Sequence, residues 1–413
     1  MTLDRRQLLG AAGLLAGQAL LAPRAQGAVR LSASPLFTSE VPRTLVLLQL
    51  AGGNDGLSTV VPYADDAYGR ARRATRIETK DLLKLDDYRG LHPSLPRLKA
   101  LHDAGKLAIV EGAGYPTPIR SHFKSYEVWH TADLRGRGAG EGWVGKLVGA
   151  AWPENRDPNL VLHIGKNVPY SLYSLTHPAA SFATPTGYKW AGDVASRAAL
   201  EKGGEVCEHG EQELEREPAN NLEYLRKVLR DGQASSETIR KAAVRYRTKT
   251  AYPDDELAQA LRDVAALSAG QIGSRVFSVE LSGFDTHSDQ KNRHDALMAR
   301  LDAALPTFLA DLAGTEAGRQ TVVVAFSEFG RRVRENGSGG TDHGVAGPMF
   351  VAGDAVRGGL YGKHPSLENL DDGDLIHTTD FRSVYATLIQ SWFGVDAQRV
   401  LGAKYPLLPL FKA

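Results

Sequence analysis

Six short apolar runs punctuate the chain: TLVLLQL at 44–50, KLAIVEG at 106–112, NLVLHIG at 159–165, RVFSVEL at 275–281, TVVVAFS at 321–327 and PMFVAG at 348–353. They are rich in Val, Ile and Leu and largely continuous, the pattern of strands buried on both faces. Helical patterns lie between them, such as Pro93 to Ala104 and Asp295 to Leu312. This rhythm predicts an α/β fold, a mostly parallel sheet with helices on both faces. Residues 191–260 break it. They are highly charged, lack a strand pattern, and read as amphipathic helix from Asn220 to Arg247, so they are expected to form a charged helical insertion on the sheet. The tail from Thr379 to Phe393 reads as a closing helix with Thr379 or Asp380 as N-cap.

The N-terminus has a different character. Arg5-Arg6 precede an apolar stretch from Leu8 to Ala22, and small residues follow to Ala28. A charged start, a short apolar middle and a small-residue end describe an export signal over 1–28, leaving 29–413 as one α/β domain. The stretch is too short for a confident membrane span, so no stable span is expected once the signal is removed. Paired arginines ahead of Leu8-Leu9 resemble the twin-arginine type, which carries folded proteins and here implies the periplasm. The lone cysteine, Cys207, cannot form a disulfide within the chain. Across 413 residues, 49 Lys and Arg face 48 Asp and Glu. That balance gives no field for nucleic acid or an anionic membrane.

The candidate chemistry lies where the runs end. In open α/β sheets, ligands sit beyond the carboxyl ends of the strands. The first run ends in Gly52-Gly53-Asn54-Asp55-Gly56, and the second leads to Arg120-Ser121-His122-Phe123. The fourth leads to Asp285-Thr286-His287, and the fifth to Glu328-Phe329-Gly330-Arg331-Arg332 and then Asp342-His343. Each piece alone is ordinary. Asp55 could meet a phosphate, a metal or only its own turn. Together they send carboxylates and imidazoles to one rim, which suits Zn²⁺, Mn²⁺, Mg²⁺ or Ca²⁺.

The stretches LAGGNDGLSTVVP, LHPSLPRL, RSHF, GFDTHSDQ, SEFGRRVREN, GGTDHG and DFRSVYATLI, spread over roughly residues 40 to 412, resemble the exported family catalogued as domain of unknown function 1501. That family is placed with the alkaline phosphatase and sulfatase superfamily. The resemblance implies an alkaline-phosphatase-like fold and a site holding one or two divalent metal ions. Asp55 matches the first-strand ligand, and Asp285 and His287 match a second pair. Glu328 and His343 match the last ligands, with Asp342 as an addition. Ser121 matches the nucleophile, with Arg120 beside it. Phe329 departs from the pattern, since it stands where a histidine ligand belongs and a phenyl ring binds no metal. The modifiable residue of sulfatases is also missing, because the nearest match to C/S-x-P-x-R, at 116–120, begins with Pro116. Arg331 and Arg332 read either as an anion clamp or as helix caps, and His92 as a structural histidine. The implied function is a periplasmic metal-dependent hydrolase of phosphate or sulfate-type esters, acting on an anionic ester such as an envelope glycan or lipid. The alternative is a non-catalytic exported scaffold working with a partner in envelope or polysaccharide assembly.

Overall fold

In the computed structural model, all six apolar runs are strands of one nine-stranded sheet. The structure describes residues 42–135, 140–188, 232 and 235–412. The strands are β1 (Thr44–Ala51), β2 (Leu107–Gly114), β3 (Val161–Ile164), β4 (Ala180–Phe182), β5 (Val276–Ser282), β6 (Thr321–Phe326), β7 (Gly347–Ala352), β8 (Gly359–Tyr361) and β9 (Thr379–Asp380). Their order is β8-β2-β7-β6-β1-β5-β3-β4, with β9 also pairing β2. Every pairing is parallel except those of β7, which runs against both β2 and β6. The sheet is therefore mostly parallel, as expected, and β7 is the exception.

The continuous apolar character of β1 follows from its position. Val46, Leu48 and Leu50 enter one core cluster, while Leu45 and Leu47 enter another on the opposite face. The first face is covered by α1 (Pro96–Asp103), α4 (Glu256–Ala269) and α5 (Gln290–Leu312). The second is covered by α2 (His122–Thr131), α3 (Trp143–Ala151) and α6 (Phe381–Thr387). A strand with apolar layers on both sides needs no polar alternation. The closing helix is N-capped by Asp380, whose carboxylate accepts the Arg382 N–H at 2.9 Å.

The expected signal over 1–28, Cys207 and much of the charged insertion lie outside the described residues. Within the insertion, a helix spans 235–245, and Ile239 on it is buried in the first core cluster. Among the described residues no helix is long and apolar enough to cross a membrane.

Three of the buried histidines bear on how stability depends on pH. Loss of hydration pushes His130 and His163 down to about 4 and His294 down to about 3. The unfolded chain takes up these protons near pH 6.5, whereas the folded chain does not. Their contribution to stability is therefore full above pH 6.5 and is lost as pH falls toward those values. Urea denaturation is expected to show a loss of at least about 2 kcal/mol between pH 7.5 and pH 5. His122, whose pKa is raised chiefly by a hydrogen bond to Glu328, works in the opposite sense, so the measured loss is a net one. Equal stability at the two pH values would mean that the three rings ionise in place.

Candidate metal centre

The carboxyl ends of β1, β5 and β6 are drawn together by close backbone approach. Gly52 has φ +118°, and a Cβ there would lie 2.4 Å from the Asp285 nitrogen. Gly53 has φ +82°, and its Cβ would lie 2.4 Å from the Phe329 ring. Only glycine allows both the conformation and the contact. Arg331 then ties the loops together. Its guanidinium, fully buried, donates to the carbonyls of Gly52, Gly53 (2.7 Å), Thr341 (2.9 Å) and Phe284 (2.9 Å). It also donates to Asp285 Oδ1 at 2.8 Å. Burial alone would raise the Asp285 carboxyl, but the hydrogen bond and charge of Arg331 outweigh it and bring it down to about 2.

Three imidazoles face this carboxylate, and each is held from behind by an acceptor. His122 Nδ1 donates to Glu328 Oε1 at 2.8 Å, and His343 Nδ1 donates to the Arg120 carbonyl at 2.9 Å. His287 Nδ1 donates to Asp342 Oδ1 at 3.1 Å. A carboxylate and a carbonyl can only accept, so these acceptors assign a proton to each Nδ1, and in the neutral ring Nε2 then carries a lone pair. His343 Nε2 and His287 Nε2 both lie 3.1 Å from Asp285 Oδ1 and 2.9 Å from one another. His122 Nε2 lies 3.7 Å from Asp285 Oδ2.

These donors fit a divalent cation. Ligand atoms of His122, Asp285 and His343 all lie within 4.8 Å of one another. Two imidazole lone pairs 2.9 Å apart beside a carboxylate repel unless a positive charge lies between them. For tetrahedral Zn²⁺, with bonds of about 2.0–2.2 Å, ligand atoms stand roughly 3.3 Å apart, close to the separations found. The outer acceptors behind each ring are the arrangement that fixes metal-binding histidines. The site is open, since the Asp285 side chain is 48% exposed.

Three of the expected ligands, Asp55, Glu328 and Asp342, lie outside this set of donors. Asp55 is fully buried and paired with Arg72, Nη1 to Oδ2 at 2.5 Å and Nη2 to Oδ1 at 3.1 Å. It also accepts from Ser58 Oγ at 2.7 Å, from the Leu57 N–H at 3.2 Å and from Gln290 Nε2. Burial alone would raise this carboxyl, but Arg72 holds it well below the usual carboxylate range. Asp55, expected as a ligand, is placed here as the counter-ion of a buried arginine and the cap of its own turn. Glu328 is likewise buried and faces inward. Its oxygens accept from His122, from the Gly52 N–H at 2.9 Å and from Ser327 Oγ at 3.2 Å. Expected as a ligand, Glu328 is placed behind His122 instead, where it accepts the Nδ1 hydrogen bond. Asp342 takes the same part behind His287.

Arg120 also differs from expectation. Its guanidinium turns to Asp374 and Asp372 at 3.1 and 3.4 Å, and only its carbonyl touches the cluster, through His343. Ser121 is exposed at the N-cap of α2 and makes no side-chain cap hydrogen bond. Phe329 is buried between two of the imidazoles, with ring centroids 4.8 Å from His122 and 4.7 Å from His343. It forms the apolar wall against which both rings rest. His92 lies outside the cluster, with Nε2 at 2.8 Å from Asp295. The residue missed in the sequence is His122, although it lies in the RSHF stretch at a strand-to-helix junction, the same setting that drew attention to Asp55.

A layered α/β chain with a histidine–aspartate cluster at the carboxyl edge of its sheet is the class that fold and site define. A model of the family described as protein of unknown function (DUF1501) matches residues 42–403, and the chain belongs to that family. No curated protein sequence matches it. Among solved structures it is similar to a protein in the alkaline phosphatase superfamily from Vibrio parahaemolyticus, at 12% identity over 89% of this chain and 71% of that one, with a TM-score of 0.40. It is similar to a 2-O GAG sulfatase at 11% identity over 88% and 75%, with a TM-score of 0.38. It is also similar to the lipoteichoic acid synthase LtaP from Listeria monocytogenes at 9% identity over 82% and 74%, with a TM-score of 0.34.

Proposed function

We propose that this chain is an exported, periplasmic hydrolase of phosphate or sulfate-type esters that uses a single divalent metal. The observation that carries the reading is the convergence of His122, His343 and Asp285, with His287 beside them, each imidazole presenting a bare Nε2. A metal held by these residues supplies Lewis-acid polarisation of the ester oxygen. Nitrogen-rich donors with one carboxylate favour Zn²⁺ over Mg²⁺ or Ca²⁺. Ser121 is the candidate nucleophile. It sits between Arg120, whose carbonyl holds His343, and His122, so its backbone is fixed on both sides by the cluster. Its hydroxyl is not used for capping. The free N–H groups of α2 would favour negative charge on the ester's non-bridging oxygens. Attack by Oγ on phosphorus or sulfur would release the alcohol and leave an ester on Ser121, which water then cleaves.

Ser121→Ala is expected to lower turnover of aryl phosphate, phosphodiester or sulfate esters by at least about a hundredfold. Metal content and melting temperature should stay unchanged, because the residue is exposed. Undiminished turnover in this variant would remove Ser121 from the chemistry. A second reading, the non-catalytic envelope scaffold, is favoured by one observation: the Arg120 guanidinium is engaged by aspartates rather than aimed at the cluster. On that reading Ser121→Ala keeps the biological role, and purified wild-type protein turns over none of the three ester types.

A further inference from the structure

Beside the metal centre a short β-hairpin, Leu370–Asp371 with Asp374–Leu375, turns through Asp372 and Gly373. Their φ values are +51° and +73°, the conformation an Asp-Gly hairpin turn requires. The two aspartates next to the turn meet two arginines. Arg120 donates from Nε to Asp374 Oδ2 at 3.1 Å and from Nη1 to Asp372 Oδ2 at 3.4 Å. Arg332 donates from Nη2 to the same Asp372 oxygen at 3.1 Å and from Nη1 to the Asp372 carbonyl at 3.1 Å.

The two aspartates play different parts. Asp374 is fully buried and also accepts the Leu375 N–H at 2.8 Å, so it is a fixed anchor that aims Arg120. Asp372 is 73% exposed at its side chain, more than either arginine it meets. Both arginines are rooted in the metal centre through their backbones. The Arg120 carbonyl holds His343, and the Arg332 N–H donates to the Asp342 carbonyl at 3.0 Å.

We propose that Arg120 and Arg332 form an anion subsite at the rim of the metal centre, filled by the Asp372 carboxylate in the free protein and by an anionic group of the substrate in the complex. Two guanidinium groups converging on one oxygen suit a sulfate or phosphate as well as a carboxylate. Exposed ion pairs add little to stability, so exchanging Asp372 for another anion costs the fold little. The inference rests on the hydrolase reading and narrows it. Arg120 directs its charge away from the cluster toward the hairpin, so the substrate carries a second negative group apart from the scissile ester. A polyanionic ester is the class that fits.

Asp372→Asn tests this cleanly, because Asn accepts the same positive φ and keeps the turn while losing the charge. Calorimetric titration with inorganic sulfate at low ionic strength is expected to show Asp372→Asn binding about three- to tenfold more tightly than wild type. Adding Arg332→Ala to that variant should abolish the gain. The same pair of titrations in a His343→Ala background, where the metal centre is dismantled, separates this subsite from the hydrolase reading. A gain that persists there belongs to the arginines, even if no ester is ever turned over. A gain that disappears with His343 means that sulfate sat at the centre, and it overturns the subsite. Equal sulfate affinity in wild type and Asp372→Asn overturns it as well.

Discussion

Arg72→Met is expected to cost about 3–5 kcal/mol of folding stability, because it leaves the Asp55 carboxylate charged and unpaired in a fully buried site. Domains of this kind have about 5–15 kcal/mol in all, so the variant should be close to unfolding at modest urea concentrations. The arginine does more than neutralise Asp55. Its Nε and Nη2 also donate to the carbonyls of Val333 at 2.6 Å and Arg332 at 2.8 Å, which hold the loop carrying the metal-site residues. Combining Arg72→Met with Asp55→Asn removes both charges and should recover a large part of the loss. A urea denaturation series on the two single variants and the double variant gives the coupling directly. A loss below about 1 kcal/mol in Arg72→Met would show that Asp55 finds its charge balance elsewhere.

The second large effect concerns metal content. Asp285→Asn and His343→Ala are each expected to lower bound metal in purified protein from about one ion per chain to less than a tenth of that. Each should also abolish the thermal stabilisation that added Zn²⁺ gives wild type, about 4 kcal/mol at a thousandfold excess over the dissociation constant. Asp55→Asn should keep its metal despite lower stability, which separates the buried ion pair from a ligand role. Elemental analysis and melting curves with and without added Zn²⁺ read both quantities. Full occupancy in Asp285→Asn and His343→Ala would leave the cluster without its metal role.

The strands were the most legible part of the sequence. A strand covered on both faces keeps every position apolar, and all six runs form strands. The direction of β7 was not legible, since PMFVAG reads the same either way. The start of α5 was hidden for a related reason. Gln290 and His294 are buried, but they serve the polar network around Asp55 and Asn54 rather than an apolar stripe. Asp285, His287, Asp342 and His343 do meet at one rim, and the carboxylates were the hard part to sort. Asp55, Glu328 and Asp285 all follow strands, and nothing local tells which carboxylate turns inward. The deciding partners are distant: Arg72 lies in RARRATR, where nothing local marks which arginine is buried, and His122 stands alone in the first turn of its helix.

β1 is the first strand among the described residues and lies near the middle of the sheet, and its neighbours β5 and β6 both come from the second half of the sequence. As the chain leaves the ribosome, an apolar strand with two open edges must wait until most of the protein has been made. Local contacts cannot shield it in the meantime, and pairing at such separation is slow. Unpaired edges of this composition are sites of self-association. Because Gly52 and Gly53 extend from that same strand, the metal centre cannot close before the sheet does. The cluster that could take a metal is therefore present only once synthesis and sheet assembly are complete.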